Sequence, residues 1–499
     1  MVSLDFILPL CILLLSYSVN GLGINTTSTD FTNVTNSTEF SPSYDPNTFK
    51  YQGVAIGGWL VLEPYITPSL FLAFNQTKGT NESDIPVDEY HYCQQLGPEE
   101  AKARLTQHWD TFYTEDDFAD IKSRGLNMVR IPIGYWAFQK LDNDPYVMGA
   151  QDYLDKALGW AKNNDLKVMI DLHGAPGYRD IGYPGWFNKT EYLTVTKSVL
   201  HMIYKKYGTG DIAREYKDTI LGIEVINEPY TPSLSITKLK KFYVDTYIDA
   251  RNTQDLNNTI VIQDGFEPLG YWNDFLSGGN IYTNSSSKFP SISNSSSNSS
   301  SNSSSNGWAG TFNILIDHHH YEVFSTSVTS NITTHLSDIV GYASGLKDEQ
   351  SHHRSIVGEW SAALTDCAPW LNGVGLGSRY AGEAPYNWTK TGSCKNIDNF
   401  SKWSKQDKKN TRKFIEIQLD QYSRYSAGWI FWCWKTETTI EWDLKRLVEY
   451  DLFPQPLDNF TYIVNGTDTD KTSSSAKNSI MGGSLSIALL PIIVLILFI

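Results

Sequence analysis

Apolar runs of strand length alternate with segments of helical spacing along most of the chain, starting near residue 50. The runs are apolar and β-branched, which is typical of strands buried in a parallel sheet. Eight such runs occur, namely Gly53–Leu60, Met128–Ile133, Lys167–Leu172, Ile220–Ile226, Thr259–Gln263, Asn313–Asp317, Ser355–Gly358 and Gly428–Trp434. We predict that each of them forms a strand of one sheet.

The segments between these runs carry helix signals. Thr114 precedes three acidic residues, as at a helix N-cap, and residues 153–161 place apolar side chains at i, i+1, i+4, i+5 and i+8. Similar segments are Leu193–Tyr207, Ile236–Ala250 and Thr411–Tyr425. Eight strands with helices between them predict an α/β fold, a (β/α)8 TIM barrel, in one catalytic domain over residues 49–460. A doubly wound α/β sheet is the structural alternative.

Both ends of the chain resemble processing signals. Residues 1–22 contain the uncharged apolar run Phe6–Leu15 and indicate a signal peptide, although the usual preceding basic residues are absent. Residues 485–499 are uncharged but shorter than a membrane span of about 20 residues. With the small and polar residues of 461–484 they match a GPI-attachment signal, whose hydrophobic tail is removed; a short tail anchor is the alternative. We therefore expect a secreted protein, GPI-anchored at the cell surface.

Composition narrows the classes of function. Residues 23–48 are rich in Ser, Thr and Asn, and residues 284–306 are almost entirely Ser and Asn, so neither segment can build a packed core. We expect a glycosylated lead-in and a solvated loop insert, because Asn-X-Ser/Thr acceptor sequences recur along the chain. The net charge of −15 argues against nucleic acid as a partner.

Two carboxylates stand at the ends of predicted strands. Glu228 follows Asn227 after the fourth run, and Glu359 comes directly after the seventh run. Strands four and seven of a barrel face each other, so the two side chains can flank one bond at the carboxyl face, where barrel active sites lie. Hydrolysis of a glycosidic bond needs such a pair, separated by about 5–5.5 Å for retention of configuration and by about 6.5–9.5 Å for inversion.

Other strand ends carry further polar and aromatic side chains: Arg130, His173, His318–His320 and Trp432. An arginine in this cluster would keep a nearby carboxylate ionised, and flat rings pack against sugar faces. Three consecutive histidines suggest a metal, but alternation sends His319 to the side opposite its neighbours, and no further ligand is evident. We therefore predict no metal and no cofactor. A structural role in the core remains the alternative for Arg130, His173 and Trp432.

Several longer motifs occur in order along the predicted domain: Gly57–Tyr65, Val129–Phe138, Asp171–Gly177, Ile226–Pro229, Asp317–Phe324, Gly358–Cys367 and Phe431–Lys435. They resemble motifs of glycoside hydrolase family 5, and more closely those of the fungal exo-1,3-β-glucanases, or glucan 1,3-β-glucosidases, here in a GPI-anchored form. The resemblance extends from about Phe49 to Pro456. It implies retaining exo-hydrolysis of β-1,3-glucan, which releases glucose from non-reducing ends in the fungal cell wall.

The resemblance also implies roles for individual residues. Glu228 is the expected acid/base and Glu359 the expected nucleophile. The expected substrate-binding residues are Glu63, Arg130, His173, Asn227, His319, Tyr321, Phe324 and Trp432. Among them, Trp432 is expected to form an aromatic floor under the sugar, and Phe324 one half of an aromatic clamp. Trp186–Phe187 contains the best candidates for the other half.

The cysteines depart from the family pattern. The secreted relatives carry a cysteine near the C-terminus, where this chain continues into the predicted attachment region. We favour a Cys367–Cys394 disulfide, which would hold the loop after the seventh strand. Cys93 and Cys433 could pair or stay free.

Other functions remain open at this point. The same intermediate could be passed to a second sugar chain, as in wall remodelling, or the substrate could be β-1,6-glucan. A wall glucan-binding protein without activity is the alternative from a different class, and the intact Glu228 and Glu359 argue against it. We expect β-glucan as the partner, membrane attachment through the anchor, and a monomer.

Overall fold

The computed structural model describes residues 44–45, 48–78, 82–177, 186, 189–253, 256–276, 313–386 and 388–469. Within them, eight parallel strands pair in chain order and close into a barrel, because the last strand is hydrogen-bonded to the first. The strands are β1 (Tyr51–Ala55), β2 (Met128–Gly134), β3 (Lys167–Gly174), β4 (Ile220–Glu224), β5 (Thr259–Gln263), β6 (Ile314–His319), β7 (Ser355–Glu359) and β8 (Gly428–Phe431). The predicted (β/α)8 barrel is confirmed, and its closure excludes the doubly wound alternative, whose sheet is open.

Three predicted runs extend past the observed strand ends. The chain leaves β1 at Ala55 and turns through Gly58, whose φ is 68°. Likewise β4 ends at Glu224 and β8 at Phe431. Apolar residues continue beyond these ends, as at residues 225–226, because loops at the carboxyl face are themselves buried. A run of apolar residues therefore marks burial here, and only part of it is strand.

Helices between the strands pack their apolar faces against the barrel. They are α1 (Pro68–Lys78), α2 (Glu89–Leu96), α3 (Pro98–Thr111), α4 (Glu115–Ser123), α5 (Ala150–Asn163), α6 (Thr190–Ile203), α7 (Asp211–Glu215), α8 (Ile236–Ile248), α9 (Asn273–Leu276), α10 (Ile332–Glu349), α11 (Lys405–Tyr425) and α12 (Leu444–Glu449). Thr114 and Asp117 form a capping box at the start of α4, where the acidic turn predicts a helix. The apolar positions within 153–161 form the buried face of α5. None of the described helices is both long and apolar enough to cross a membrane.

The barrel interior changes from apolar to polar along the strands. Each strand from β2 to β8 contributes one fully or almost fully buried apolar side chain to a common cluster: Met128, Met169, Leu221, Val261, Leu315, Ile356 and Ile430. Two residues further along, three of these strands carry Arg130, Asp171 and Asp317, all completely buried. Gly358 leaves space for the Asp317 side chain, since a Cβ at Gly358 would lie 2.0 Å from the Asp317 carboxylate. Strand periodicity thus places charged groups above an apolar floor, towards the carboxyl face.

A hairpin follows the barrel at the end of the described chain. Its strands, β9 (Ile463–Val464) and β10 (Thr467–Asp468), pair antiparallel. The carboxylate of Glu416 in α11 is completely buried and accepts hydrogen bonds from the amides of Thr461, Tyr462 and Ile463 at 2.8, 2.7 and 3.1 Å. Lys413 of the same helix pairs with Asp468 at 2.8 Å. The structured chain thus continues past residue 460, where the predicted domain ends.

Several predicted segments lie outside the described residues, among them the signal peptide (1–22), most of the lead-in (23–48), the insert (284–306) and the hydrophobic tail (485–499).

The four cysteines whose pairing the sequence leaves to be decided all lie within the described residues. Cys367 and Cys394 form a disulfide, the pairing that we favour from the sequence. Cys93 and Cys433 are both buried and free.

Candidate active site

The two predicted catalytic carboxylates meet at the carboxyl face of the barrel. Glu359 is the last residue of β7, and Glu228 lies beyond the end of β4. One carboxylate oxygen of each lies within 4.8 Å of the other. This distance corresponds to the short separation of about 5–5.5 Å found in retaining glycosidases and not to the gap of about 6.5–9.5 Å that inverting enzymes need for a water.

The backbone of Glu228 is strained. Its φ is 42°, in the left-handed region that residues with a Cβ rarely occupy, at a cost of roughly 1–3 kcal/mol. The preceding residue anchors this turn, because the Asn227 amide donates to the Leu172 carbonyl in β3 at 3.0 Å. The turn points the Glu228 side chain towards Glu359. Strain of this kind is concentrated at functional sites.

Three groups hold the Glu359 carboxylate. Arg130 donates to Oε1 at 2.6 Å, the Tyr321 hydroxyl donates to Oε2 at 2.8 Å, and His319 Nδ1 lies 3.4 Å from Oε2. Burial raises the pKa of Glu359, while the positive charges of His319 and Arg130 oppose this rise. The carboxylate is thus fixed in orientation and its ionised form is supported, as a nucleophile requires.

Arg130 connects four polar side chains in the barrel interior. Besides Glu359, its guanidinium donates to Glu224 Oε2 at 2.7 Å and to Asn227 Oδ1 at 2.8 Å, and it pairs with Asp171 at 3.0 Å. Burial alone would lower the pKa of Arg130, but Asp171, Glu224 and Glu359 outweigh it and raise that pKa well above its ordinary value. Arg130 is therefore an ion-pair residue of the barrel and an active-site residue at once.

His319 contacts both carboxylates. Its Nδ1 lies 2.7 Å from Glu228 Oε1, in addition to the contact with Glu359. Burial alone would lower the pKa of His319, but Glu359, Asp317 and Glu228 raise it well above its ordinary value. These carboxylates therefore favour the positively charged form of the imidazole.

The other two histidines of the triplet point away from the site, as the alternation predicts. His318 lies between Asp264 and Glu349 at 2.7 and 2.6 Å, on the helix side of the sheet. His320 stacks on Tyr342 with ring centroids 3.8 Å apart. The triplet therefore contributes one histidine to the site and two to the packing of α10 against the barrel.

The remaining predicted residues form the wall of the site. The His173 ring is nearly parallel to that of Trp432, with centroids 5.5 Å apart, and its Nδ1 lies 2.7 Å from Asp171. The Arg130 guanidinium lies over the Trp432 ring, 5.9 Å from its centroid. Glu63 is buried and accepts a hydrogen bond from the Gly58 amide at 3.2 Å. Burial, together with the charge of Glu359, raises the pKa of Glu63 well above its ordinary value.

The aromatic clamp is only partly supported. Phe324 is half-buried and packs edge-on against Tyr321, with ring centroids 5.5 Å apart. Trp186, by contrast, is completely buried against Phe242 of α8, and its indole donates to Thr196. Of the two candidates for the other half of the clamp, Trp186 is therefore excluded, because its ring belongs to the core beneath α6 and α8. Phe187, the other candidate, lies outside the described residues.

Three charged residues of the site are absent from the sequence-based assignment: Asp171, Glu224 and Asp317. All are completely buried, and each belongs to a strand. Asp171 and Asp317 stand two residues before His173 and His319, so strand alternation puts them on the same face as those histidines. That spacing is a usable signal. Glu224 offers a weaker one, a lone acid within an apolar run.

Comparisons with known proteins identify the family of the chain. A family model described as Cellulase (glycosyl hydrolase family 5) matches residues 97–438. The chain is 54% identical over 459 residues to "Glucan 1,3-beta-glucosidase 2" of Candida albicans, covering 90% of this chain and 92% of the relative. It is 46% identical over 424 residues to "Glucan 1,3-beta-glucosidase I/II" of Saccharomyces cerevisiae, covering 82% of this chain and 86% of the relative.

Among solved structures, a rutinosidase from Aspergillus niger aligns with a TM-score of 0.57 at 18% identity, covering 82% of this chain and 99% of that one. At this identity the likeness concerns the barrel fold alone.

Proposed function

The chain belongs to glycosyl hydrolase family 5, together with the fungal glucan 1,3-beta-glucosidases, and from this membership we propose how its site acts on β-1,3-glucan. The enzyme hydrolyses the glucan from its non-reducing ends, releases glucose and retains the anomeric configuration. The observation that carries the retaining mechanism is the approach of Glu228 and Glu359 to within 4.8 Å.

In the first step, Glu228 donates a proton to the glycosidic oxygen while Glu359 attacks the anomeric carbon. The bond to the leaving sugar breaks, and a glucosyl–Glu359 ester forms. In the second step, Glu228 removes a proton from a water molecule, which attacks the same carbon and releases Glu359. Arg130 and Tyr321 position the nucleophile, and the positive charge of His319 lies beside both carboxylates throughout.

Product analysis tests this proposal. Laminarin is incubated with the enzyme, and the anomer first released is followed by ¹H NMR before mutarotation. We expect β-glucose as the first product and a loss of several orders of magnitude in rate in both Glu359→Ala and Glu228→Ala, with unchanged circular dichroism. Release of α-glucose first, or near-normal turnover by Glu359→Ala, would refute the mechanism. Longer oligosaccharides that form only at high laminarin concentration would instead identify transfer to a second glucan chain.

We also propose that the protein is secreted and held at the plasma membrane or cell wall by a GPI anchor, and that it acts as a monomer. The terminal sequence pattern, in residues 1–22 and 461–499, supports the secretion and the anchor. Phosphatidylinositol-specific phospholipase C should release the protein from membranes, and deletion of residues 485–499 should send it to the medium. Retention of the protein on phospholipase-treated membranes would favour a tail anchor. The molar mass, measured by light scattering after gel filtration, should be that of a monomer, and a multiple of it would show an oligomer.

A further inference from the structure

Behind His319, three buried side chains each present a polar atom with no hydrogen-bond partner among the described residues. The atoms are Glu224 Oε1, Asp317 Oδ2 and His319 Nε2. The side chains of all three are completely inaccessible to solvent. Buried polar groups in proteins are almost always hydrogen-bonded, to protein or to ordered water, so these three atoms need an explanation.

The opposite end of each side chain is fixed. Glu224 Oε2 accepts from Arg130 at 2.7 Å, Asp317 Oδ1 accepts from the Gly358 amide at 2.7 Å, and His319 Nδ1 contacts Glu228 at 2.7 Å. None of the three can therefore rotate towards another partner without losing a hydrogen bond. Their unpartnered atoms are held in place by the rest of the site.

These three residues also converge on one point. One ligand atom from each lies within 4.8 Å of the other two, and His319 Nε2 is 3.7 Å from Asp317 Oδ2. Because no two of these atoms are more than 4.8 Å apart, one point lies no farther than about 2.8 Å (4.8/√3) from all three, within reach of hydrogen bonds to a single water molecule. The geometry thus matches a single water molecule with three partners.

We propose that Glu224 and Asp317 are positioning residues for His319, acting through one internal water molecule that all three bind. The water accepts a hydrogen bond from Nε2–H and donates one hydrogen to each carboxylate, so all three atoms are satisfied. The two carboxylates keep the proton on Nε2 when Nδ1 is also protonated, so Nδ1–H donates to Glu228 and the imidazole stays positively charged in every step of the cycle. This inference rests on the proposed function for its catalytic meaning, but not for its structural content.

A cation at the same point is disfavoured by charge. A cation would repel the Arg130 guanidinium, which is bound to Glu224, and it would require His319 to lose the proton that its carboxylate neighbours favour. Charged and titratable groups around His319 come from several elements: Arg130 on β2, Glu224 on β4, Glu228 after β4, Asp317 on β6, Tyr321 after β6 and Glu359 on β7. Asp317 forms the ion pair with Nε2, at 3.7 Å, so its charge is the one to change.

The test compares Asp317→Asn with Asp264→Asn. Both variants replace a buried carboxylate beside a histidine, but Asp264 faces His318 on the helix side of the sheet. The protein is labelled with ¹⁵N-histidine, and the His319 signals are assigned by their loss in His319→Gln. In the wild type we expect both ring nitrogens of His319 to stay protonated from about pH 5 to about pH 8, whereas in Asp317→Asn the ring should titrate within this range. Asp264→Asn should leave the His319 signals unchanged.

Activity and diffraction complete the test. With an aryl β-glucoside, Asp317→Asn should lower kcat on the order of tenfold to a hundredfold, as for other residues that orient a histidine, and leave KM nearly unchanged. A high-resolution crystal structure of the wild type should show one water at hydrogen-bonding distance from all three atoms. The inference is overturned if His319 is neutral in the wild type, if Asp317→Asn leaves its signals unchanged, or if activity depends on a metal removed by EDTA. The NMR and diffraction results do not depend on the substrate, so failure of the glucan assignment alone would leave them intact.

Discussion

Removal of the Tyr321 hydroxyl gives a test of how the nucleophile is kept ionised. Tyr321 donates a 2.8 Å hydrogen bond to Glu359 Oε2, and burial of the side chain, together with the charge of Glu359, raises the pKa of Tyr321 well above its ordinary value. The hydroxyl is therefore always a donor. Tyr321→Phe removes this single donor and leaves the contacts of Glu359 with Arg130 and His319 in place.

The size of the effect follows from the strength of the hydrogen bond in the two protonation states. A hydrogen bond to an ionised group is worth about 1.5–3 kcal/mol and one to a neutral group about 0.5–1.5 kcal/mol, a difference of about 1 kcal/mol. The loss therefore raises the pKa of Glu359, and about 1 kcal/mol corresponds to roughly a fivefold change in its ionisation equilibrium. Because the nucleophile must be ionised, kcat/KM on the acid limb should fall roughly fivefold at a given pH, and the limb moves to higher pH.

The assay is a pH–rate profile of kcat/KM on an aryl β-glucoside, measured for the wild type, Tyr321→Phe and a matched control. Tyr342→Phe serves as the control, because Tyr342 stacks on His320 away from the carboxylates. Its profile should coincide with that of the wild type. An acid limb that stays in place or moves to lower pH in Tyr321→Phe would show that this hydrogen bond does not support the ionised nucleophile.

Three further predictions concern stability. In Gly358→Ala the new methyl group would lie 2.0 Å from the Asp317 carboxylate, so we expect the free energy of unfolding, measured by chemical denaturation, to fall by about 1–3 kcal/mol or more. An unchanged denaturation midpoint would contradict the close packing of Gly358 against Asp317. Reduction of the Cys367–Cys394 disulfide, which spans 27 residues, should cost about 3.5 kcal/mol through the freed loop and lower Tm measurably; an equal Tm with and without reductant would refute this. Burial alone would lower the pKa of His318, but its two carboxylate partners raise it to about 10, so this group stabilises the fold fully below about pH 6.5, and its contribution is lost as pH rises towards 10. His318→Gln should therefore flatten the decline in stability between these pH values, and a decline as steep as in the wild type would assign it to other groups.

The sequence predicts the barrel and the catalytic pair because both follow from local rules. Apolar, β-branched runs separated by helix signals identify the strands, and the carboxyl ends of parallel strands share one face, so Glu228 and Glu359 had to lie near each other. The distance between the two carboxylates does not follow from these rules. It depends on the left-handed turn at Glu228, and nothing in the surrounding apolar run indicates that conformation.

The site residues that the sequence does not reveal are those whose role depends on side chains far away along the chain. Glu224 lies inside an apolar strand and becomes meaningful only once Arg130, on another strand, is seen to donate to it. Trp186 is a candidate for the aromatic clamp from the sequence but lies in the core, for a related reason. An aromatic residue in a loop can face a pocket or the core, and here its contact with Phe242 decides between the two. Pairings across the barrel are fixed by register and by loop paths, which a single sequence does not specify.

The hairpin at the end of the described chain determines where a mechanical load would enter the protein. A pull on the chain beyond Asp468 acts first on the β9–β10 pair and on the three amides held by Glu416, and it reaches α11 before any strand of the barrel. The hydrogen bonds to the buried carboxylate of Glu416, outside the barrel strands, are thus among the first contacts to bear the force. If the protein is tethered through its C-terminal end, tension from a moving wall would strain the hairpin while the spacing of Glu228 and Glu359 stays unchanged.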